Sequence, residues 1–87
     1  MNISSKDIEN ELINYLKKGN PQIIRSEDVP KNTSLVELGY LDSFGIIDLI
    51  TYFENKWNIK ISNDEITPEH FGSIKKMVYI FERKINK

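Results

Sequence analysis

A chain of 87 residues with no cysteine and a formal net charge of −1 leaves no room for a disulfide scaffold, a thiolate metal centre or a strongly basic nucleic-acid binder. One domain spanning 1–87 is expected, burying only roughly 60–65% of its unfolded surface and stable by on the order of 5 kcal/mol. No apolar run reaches membrane-spanning length, and Met1-Asn2-Ile3-Ser4-Ser5-Lys6-Asp7 lacks a signal-peptide core, so a cytoplasmic protein without membrane insertion is expected.

The first helix is expected to start at Ser4 or Ser5, with Asp7 three residues beyond Ser4 in capping-box fashion. Ile8, Leu12, Tyr15 and Leu16 form one apolar stripe at helical period. Lys17-Lys18-Gly19 and Asn20-Pro21 supply its stop. A long connection follows, from about Gln22 to Glu37. Because unstructured connections longer than about 12 residues are uncommon, Ile23, Ile24, Val29, Leu35, Val36 and Leu38 are read as anchors pinning it across the helices.

The second helix begins near Asp42 or Ser43 and runs to about Lys56. Ile46, Ile50, Phe53 and Trp57 face the core, Phe44, Ile47 and Thr51 form a more exposed strip, and Asp48 and Glu54 decorate the outside. Asn58 to Ser62 alternates like a strand but has no partner of similar pattern, so it is read as an extended loop. Thr67-Pro68-Glu69-His70-Phe71-Gly72 reads as a one-turn helix with Thr67 as its cap. After Ser73 comes a closing helix with Ile74, Met77, Val78, Phe81 and Ile85 inward and Lys75, Lys76, Glu82 and Arg83 outward. The fold expected is all-α, a four-helix bundle with a long first loop and a short third helix.

Charge is unevenly laid out: residues 27–54 carry −5, residues 55–87 carry +3 and residues 1–26 carry +1. These charges are either solvated helix faces or an acidic middle that steers basic partner surfaces toward Ser43. The C-terminal lysines form no block interleaved with aromatics, so no nucleic-acid partner is expected.

Self-sufficient catalysis finds little support. His70 is the only histidine and has no partner at helical spacing for a metal. A nucleophile elbow needs glycines two residues before and after the serine, on a strand-to-helix turn; Leu41 stands before Ser43 and only Gly45 matches. The four glycines make no phosphate-cradling loop, and Asp42 and Asp48 are six residues apart, too poorly aligned for an acid/base pair. No enzyme is expected. What stands out is a serine hydroxyl where a loop turns into a helix, suited to capping and equally suited to bearing a phosphate.

The run Leu38-Gly39-Tyr40-Leu41-Asp42-Ser43-Phe44, the helix order and the loop lengths together resemble the acyl carrier proteins and related phosphopantetheine-binding domains, over about Lys6 to Lys84. The resemblance implies a 4′-phosphopantetheine arm, covalent on Ser43, transferred from coenzyme A by a separate phosphopantetheinyl transferase and carrying cargo as a thioester. Asp42 and Ser43 match that family's Asp-Ser-Leu motif, whereas Phe44 replaces the leucine, a change expected to alter partner preference. Asp42, Phe44, Ile47 and Asp48 are expected to form the partner-docking surface of a monomer. Its partners would be acyl- or aminoacyl-activating and cargo-processing enzymes of fatty acid, polyketide or nonribosomal peptide biosynthesis. Near-neutral charge and the Ile66 to Phe71 stretch point to an aminoacyl or D-alanyl type of carrier over a fatty-acid one. The alternative is a helical adaptor or regulatory domain in which Ser43 is only an N-cap.

Overall fold

The computed structural model describes residues 3–86. The helices α1 (Ser5–Gly19), α2 (Ser43–Trp57), the one-turn α3 (Pro68–Phe71) and α4 (Ile74–Ile85) follow one another, with single 3-10 turns at Ser26–Asp28 and Asn63–Glu65. The expected four-helix, all-α architecture is present, and no strand occurs among the described residues. Of the stretch read as an extended loop, Asn58 belongs to the turn that ends α2 and Ile59 to Ser62 are coil.

Each long helix starts on a side-chain cap that satisfies an amide lacking an intrahelical partner. Ser4 accepts from the Asp7 amide at 3.1 Å, and Ser73 accepts from that of Lys76 at 3.3 Å. For α2 the capping oxygen is Asp42 Oδ1, which accepts from the Gly45 amide at 2.6 Å. Ser43 is thus the first helical residue, not the cap. Asn58 ends α2 in the left-handed conformation at φ 53°, with its amide on the Glu54 carbonyl.

The predicted apolar stripes are buried, and the core is wider than they are. Ile8, Leu12 and Leu16 of α1 are joined by Ile13, while Tyr15 is half-buried. On α2, Leu49 joins Ile46, Ile50, Phe53 and Trp57; on α4, Ile80 joins Ile74, Met77, Phe81 and Ile85, and Val78 is half-buried. Aromatic rings tie α2, α3 and α4 together. Phe53 stacks on Trp57 at 4.6 Å between centroids, and Phe81 lies 5.6 Å from Phe53, 5.2 Å from Trp57 and 5.6 Å from Phe71.

The connection between α1 and α2 is pinned at fewer points than its apolar residues imply. Ile23, Val29 and Leu35 are buried, but Ile24, Val36 and Leu38 are exposed, because backbone hydrogen bonds and not apolarity decide which way this segment turns. Leu35 is its knot. The Leu35 amide donates to the Gly72 carbonyl at 2.6 Å, and its own carbonyl accepts from Tyr40 at 2.9 Å and Leu41 at 3.3 Å. Gly39 turns this segment at φ 82°, which costs glycine no Cβ clash. Gly72 meets a different demand: a Cβ there would run into the Pro68 carbonyl. The Lys75 amide adds a second tie, to the Lys31 carbonyl at 3.0 Å.

Polar side chains finish the frame. Glu54 does not decorate the outside as expected; it is half-buried, and its Oε2 accepts from the Ile61 amide at 2.8 Å, holding the coil after α2. Asp28 accepts from the Ile24 and Arg25 amides at 3.1 and 2.9 Å, bonds that hold its carboxyl below the ordinary value of 3.8. The two ends of the described chain clasp. The Ile3 amide donates to Asn86 Oδ1 and Asn86 Nδ2 to the Ile3 carbonyl, both at 3.1 Å, and the Ser5 hydroxyl donates to Glu82.

Three outcomes are expected. Truncating Leu35 to alanine removes a fully buried side chain and should cost about 2–5 kcal/mol in urea unfolding, most of the margin of a domain this size. Asp42→Ala should cost about 1 kcal/mol, whereas Ser43→Ala, which leaves the cap intact, should leave the unfolding midpoint close to wild type. Because the folded carboxyl of Asp28 is depressed, its contribution is present above about pH 3.8 and fades as pH falls through the lower folded value. The gap in urea midpoint between wild type and Asp28→Ala should therefore be open at neutral pH and close in strong acid.

Candidate functional site

Ser43 reaches the surface because everything immediately before it is held. Asn20, at the end of α1, donates from Nδ2 to the Leu16 carbonyl at 3.0 Å and to the Tyr40 carbonyl at 3.3 Å, bridging that helix to the approach of α2. Leu41 is buried and Asp42 folds back onto Gly45. A Cβ on Gly45 would stand 3.2 Å from Asp42 Oδ1 and 3.3 Å from Leu41 Cδ2, so glycine leaves this tight cap its room. Ser43 itself is exposed, and its Oγ takes no part in the cap.

The electrostatics around that hydroxyl follow from its position. The amides of Ser43 and Phe44 lie ahead of the first intrahelical acceptor, at the positive end of a 15-residue helix. A phosphoryl group on Ser43 would find these two donors available, while Gly45 and Ile46 are already bonded to the Asp42 side chain and carbonyl. Reading Ser43 as an N-cap, on which the adaptor alternative rests, is thereby corrected. Asp42 makes the capping bond to Gly45 and leaves the Ser43 Oγ out of it.

Beside Ser43 runs an apolar strip with acidic company. Phe44 is 80% exposed and Ile47 48%, Thr51 continues the strip, and Asp42 and Asp48 are exposed. The loop leading into α2 adds Val36 and Leu38, also exposed, which their apolarity had marked as anchors and which no sequence pattern distinguishes from Leu35. The Asp48 charge is also felt toward α1. Burial first, then Asp48 and Tyr52, push the Tyr15 hydroxyl above its ordinary 10.0, and the Tyr15 ring packs 5.2 Å from that of Tyr52.

Elsewhere the groups with reactive potential serve the fold. His70 Nδ1 lies 2.8 Å from Thr67 Oγ1 within the α3 cap. No cluster of three or more His, Cys, Asp or Glu able to hold a metal ion occurs among the described residues, and none of their helices is long and apolar enough to cross a membrane.

Comparison with known proteins bears on what such a serine does. Aminoacyl carrier protein 2 of Bradyrhizobium diazoefficiens is 30% identical over 77 residues, covering 88% of this chain and 85% of the relative. The probable acyl carrier protein PigG of a Serratia species is 30% identical over 78 residues, covering 87% of this chain and 86% of the relative. No family model and no solved structure matches the chain. With that identity running through almost the whole length of two carrier proteins and a four-helix fold that presents a serine at the start of α2, the chain belongs to the acyl carrier protein family.

Proposed function

We propose that this protein is a carrier whose Ser43 bears 4′-phosphopantetheine and presents an acyl or aminoacyl thioester to partner enzymes. The observation that carries the reading is the free, exposed Ser43 hydroxyl at the first position of α2, in a chain of the acyl carrier protein family. The residues fit the group: an accessible oxygen for the phosphodiester, two unengaged amides beside it and the positive end of the helix dipole. When bound, the group supplies a terminal thiol that holds cargo as a thioester.

The chain's own part is modest. Ser43 Oγ forms the new P–O bond, coenzyme A loses its nucleotide portion, and the hydroxyl proton passes to a base of the phosphopantetheinyl transferase, since no base among the described residues is paired with Ser43. Asp42 keeps the helix entrance rigid through its bond to Gly45. Asp42, Phe44, Ile47 and Asp48 form the docking surface: the two apolar side chains supply area that partners can bury, and the two carboxylates steer basic partner surfaces. An aminoacyl cargo, activated by an adenylating enzyme, is favoured over a fatty acid. The name of the Bradyrhizobium relative, the near-neutral net charge and the stretch from Ile66 to Phe71 support it.

Incubation with coenzyme A and a broad-specificity phosphopantetheinyl transferase should add one phosphopantetheinyl mass to the intact wild type and none to Ser43→Ala. An unmodified wild type beside a fully modified control carrier would overturn the carrier reading. Charge reversal by Asp48→Lys should slow loading several-fold at low salt, a deficit that shrinks as salt is raised, with little change in stability. Equal rates at both salt levels would remove Asp48 from the docking surface.

A further inference from the structure

We propose that the outer face of α4, with the cleft between it and α3, is a second docking surface that takes an acidic amphipathic helix of a partner protein. Neither the cargo nor the loading of Ser43 enters the argument. Lys75, Lys76, Tyr79 and Arg83 are all exposed and fall within an arc of about 100° on α4. No carboxylate shares that arc. Glu82, at its edge, is half-buried and accepts from the Ser5 hydroxyl. Arg25, Lys31, Lys56 and Lys84 are each in an ion pair, whereas Lys75, Lys76 and Arg83 have none among the described residues.

The placement of the lysines runs against the local physics of the helix. Lys75 and Lys76 stand in the first turn of α4, where the macrodipole favours acids, and Lys76 takes the position at which a glutamate would complete a capping box with Ser73. In α1 the equivalent position holds Asp7. A cation where the helix prefers an anion points to a demand from outside the helix. Tyr79 adds a shaped contact: it is 61% exposed, and the Arg83 guanidinium lies 5.4 Å from its ring centre and donates to its hydroxyl at 3.2 Å. Beside this strip runs a cleft of about 450 Å³, lined by Glu69, His70, Lys75, Lys76, Tyr79 and Ile80, with Glu69 the one acid in that lining.

The occupant follows from spacing. Lys75, Tyr79 and Arg83 recur every four residues, so they climb about 6 Å per step and about 12 Å from first to last. A helix laid along α4, with carboxylates eight residues apart and an apolar residue midway, meets both cations and sets that residue against Tyr79 at the cleft. An anionic membrane fits less well, since the apolar side of α4 is buried and one tyrosine is left to insert. Nucleic acid fits less well still, with three cations and a single ring to meet it.

The test uses a synthetic helical peptide with glutamates eight residues apart, leucine midway between them, and alanine and glutamine elsewhere. Titrated at low salt into the isotope-labelled full-length protein, it should give saturable NMR shifts at His70, Lys76, Tyr79 and Arg83, and its affinity should fall severalfold as salt is raised. Lys76→Glu, which completes the capping box and so keeps α4 folded, should weaken binding about tenfold. A peptide with glutamine in place of the leucine should bind about fivefold more weakly. No saturable shift at millimolar peptide, shifts confined to α2, or equal affinity for Lys76→Glu would overturn the proposal. Equal binding of the leucine and glutamine peptides would overturn the seating in the cleft. Vesicles of phosphatidylglycerol and phosphatidylcholine in equal parts should leave the protein in the supernatant. Sedimentation with wild type but not with Lys76→Glu would give this face to a membrane and overturn the protein partner.

Discussion

The hydrogen bond from the Leu35 amide to the Gly72 carbonyl is the constraint on which the rest of the molecule depends. It joins the middle of the long connection to the corner between α3 and α4, and three consequences follow. The Leu35 side chain is driven into the core, and its carbonyl is left to gather the Tyr40 and Leu41 amides. Those two bonds set the path of the chain into Asp42, and Asp42 then caps α2 with Ser43 just past it. Gly72 has to lack a side chain because a Cβ there would run into the Pro68 carbonyl of the same corner. An exposed serine is thus positioned by a contact made far from it in sequence.

Helix α2 divides its labour by periodicity. One face carries Ile46, Leu49, Ile50, Phe53 and Trp57 into the core, and the other leaves Phe44 and Ile47 in solvent beside two carboxylates. The buried face holds α2 against the core; the exposed face, at the entrance where the amides are unpaired, is where the proposed docking and phosphate attachment would meet. Ion pairs across the surface, such as Lys31 with Glu9 at 2.9 Å and Lys84 with Glu65 at 3.1 Å, are exposed enough to add little to stability.

Helix identity and facing were legible in the residues because a 3.6-residue period is a local property: Ile8, Leu12 and Leu16, or Ile74, Met77 and Phe81, declare themselves without the fold. Ile13, Leu49 and Ile80 did not, since they sit at the flank of each stripe and are buried only because neighbouring helices close over that flank. The loop shows the limit most sharply. Ile23 and Ile24 are adjacent and chemically identical, yet one is buried and the other 78% exposed, a choice that follows from the path of the backbone and not from residue type. Glu54 likewise looks like an ordinary surface carboxylate until the Ile61 amide reaches it. For the candidate site, the motif and the helix start single out Ser43, and the structure has it exposed at the first position of α2. That Ser43 takes no part in the cap emerged only from geometry, because serine and aspartate are equally good caps and both stand at the helix start.

The clasp between Ile3 and Asn86 has a topological consequence. Two residues separated by almost the entire chain exchange a pair of hydrogen bonds, so the folded backbone is nearly a closed ring, with α1 and α4 lying against each other at the seam. Only a short bridge is needed to complete it. The entropy of joining the ends is already lost in the folded state, so covalent closure would act mainly on the unfolded ensemble, restricting its freedom far more than the native one. Cyclising the backbone at that seam would therefore add stability while leaving untouched the helix that presents Ser43.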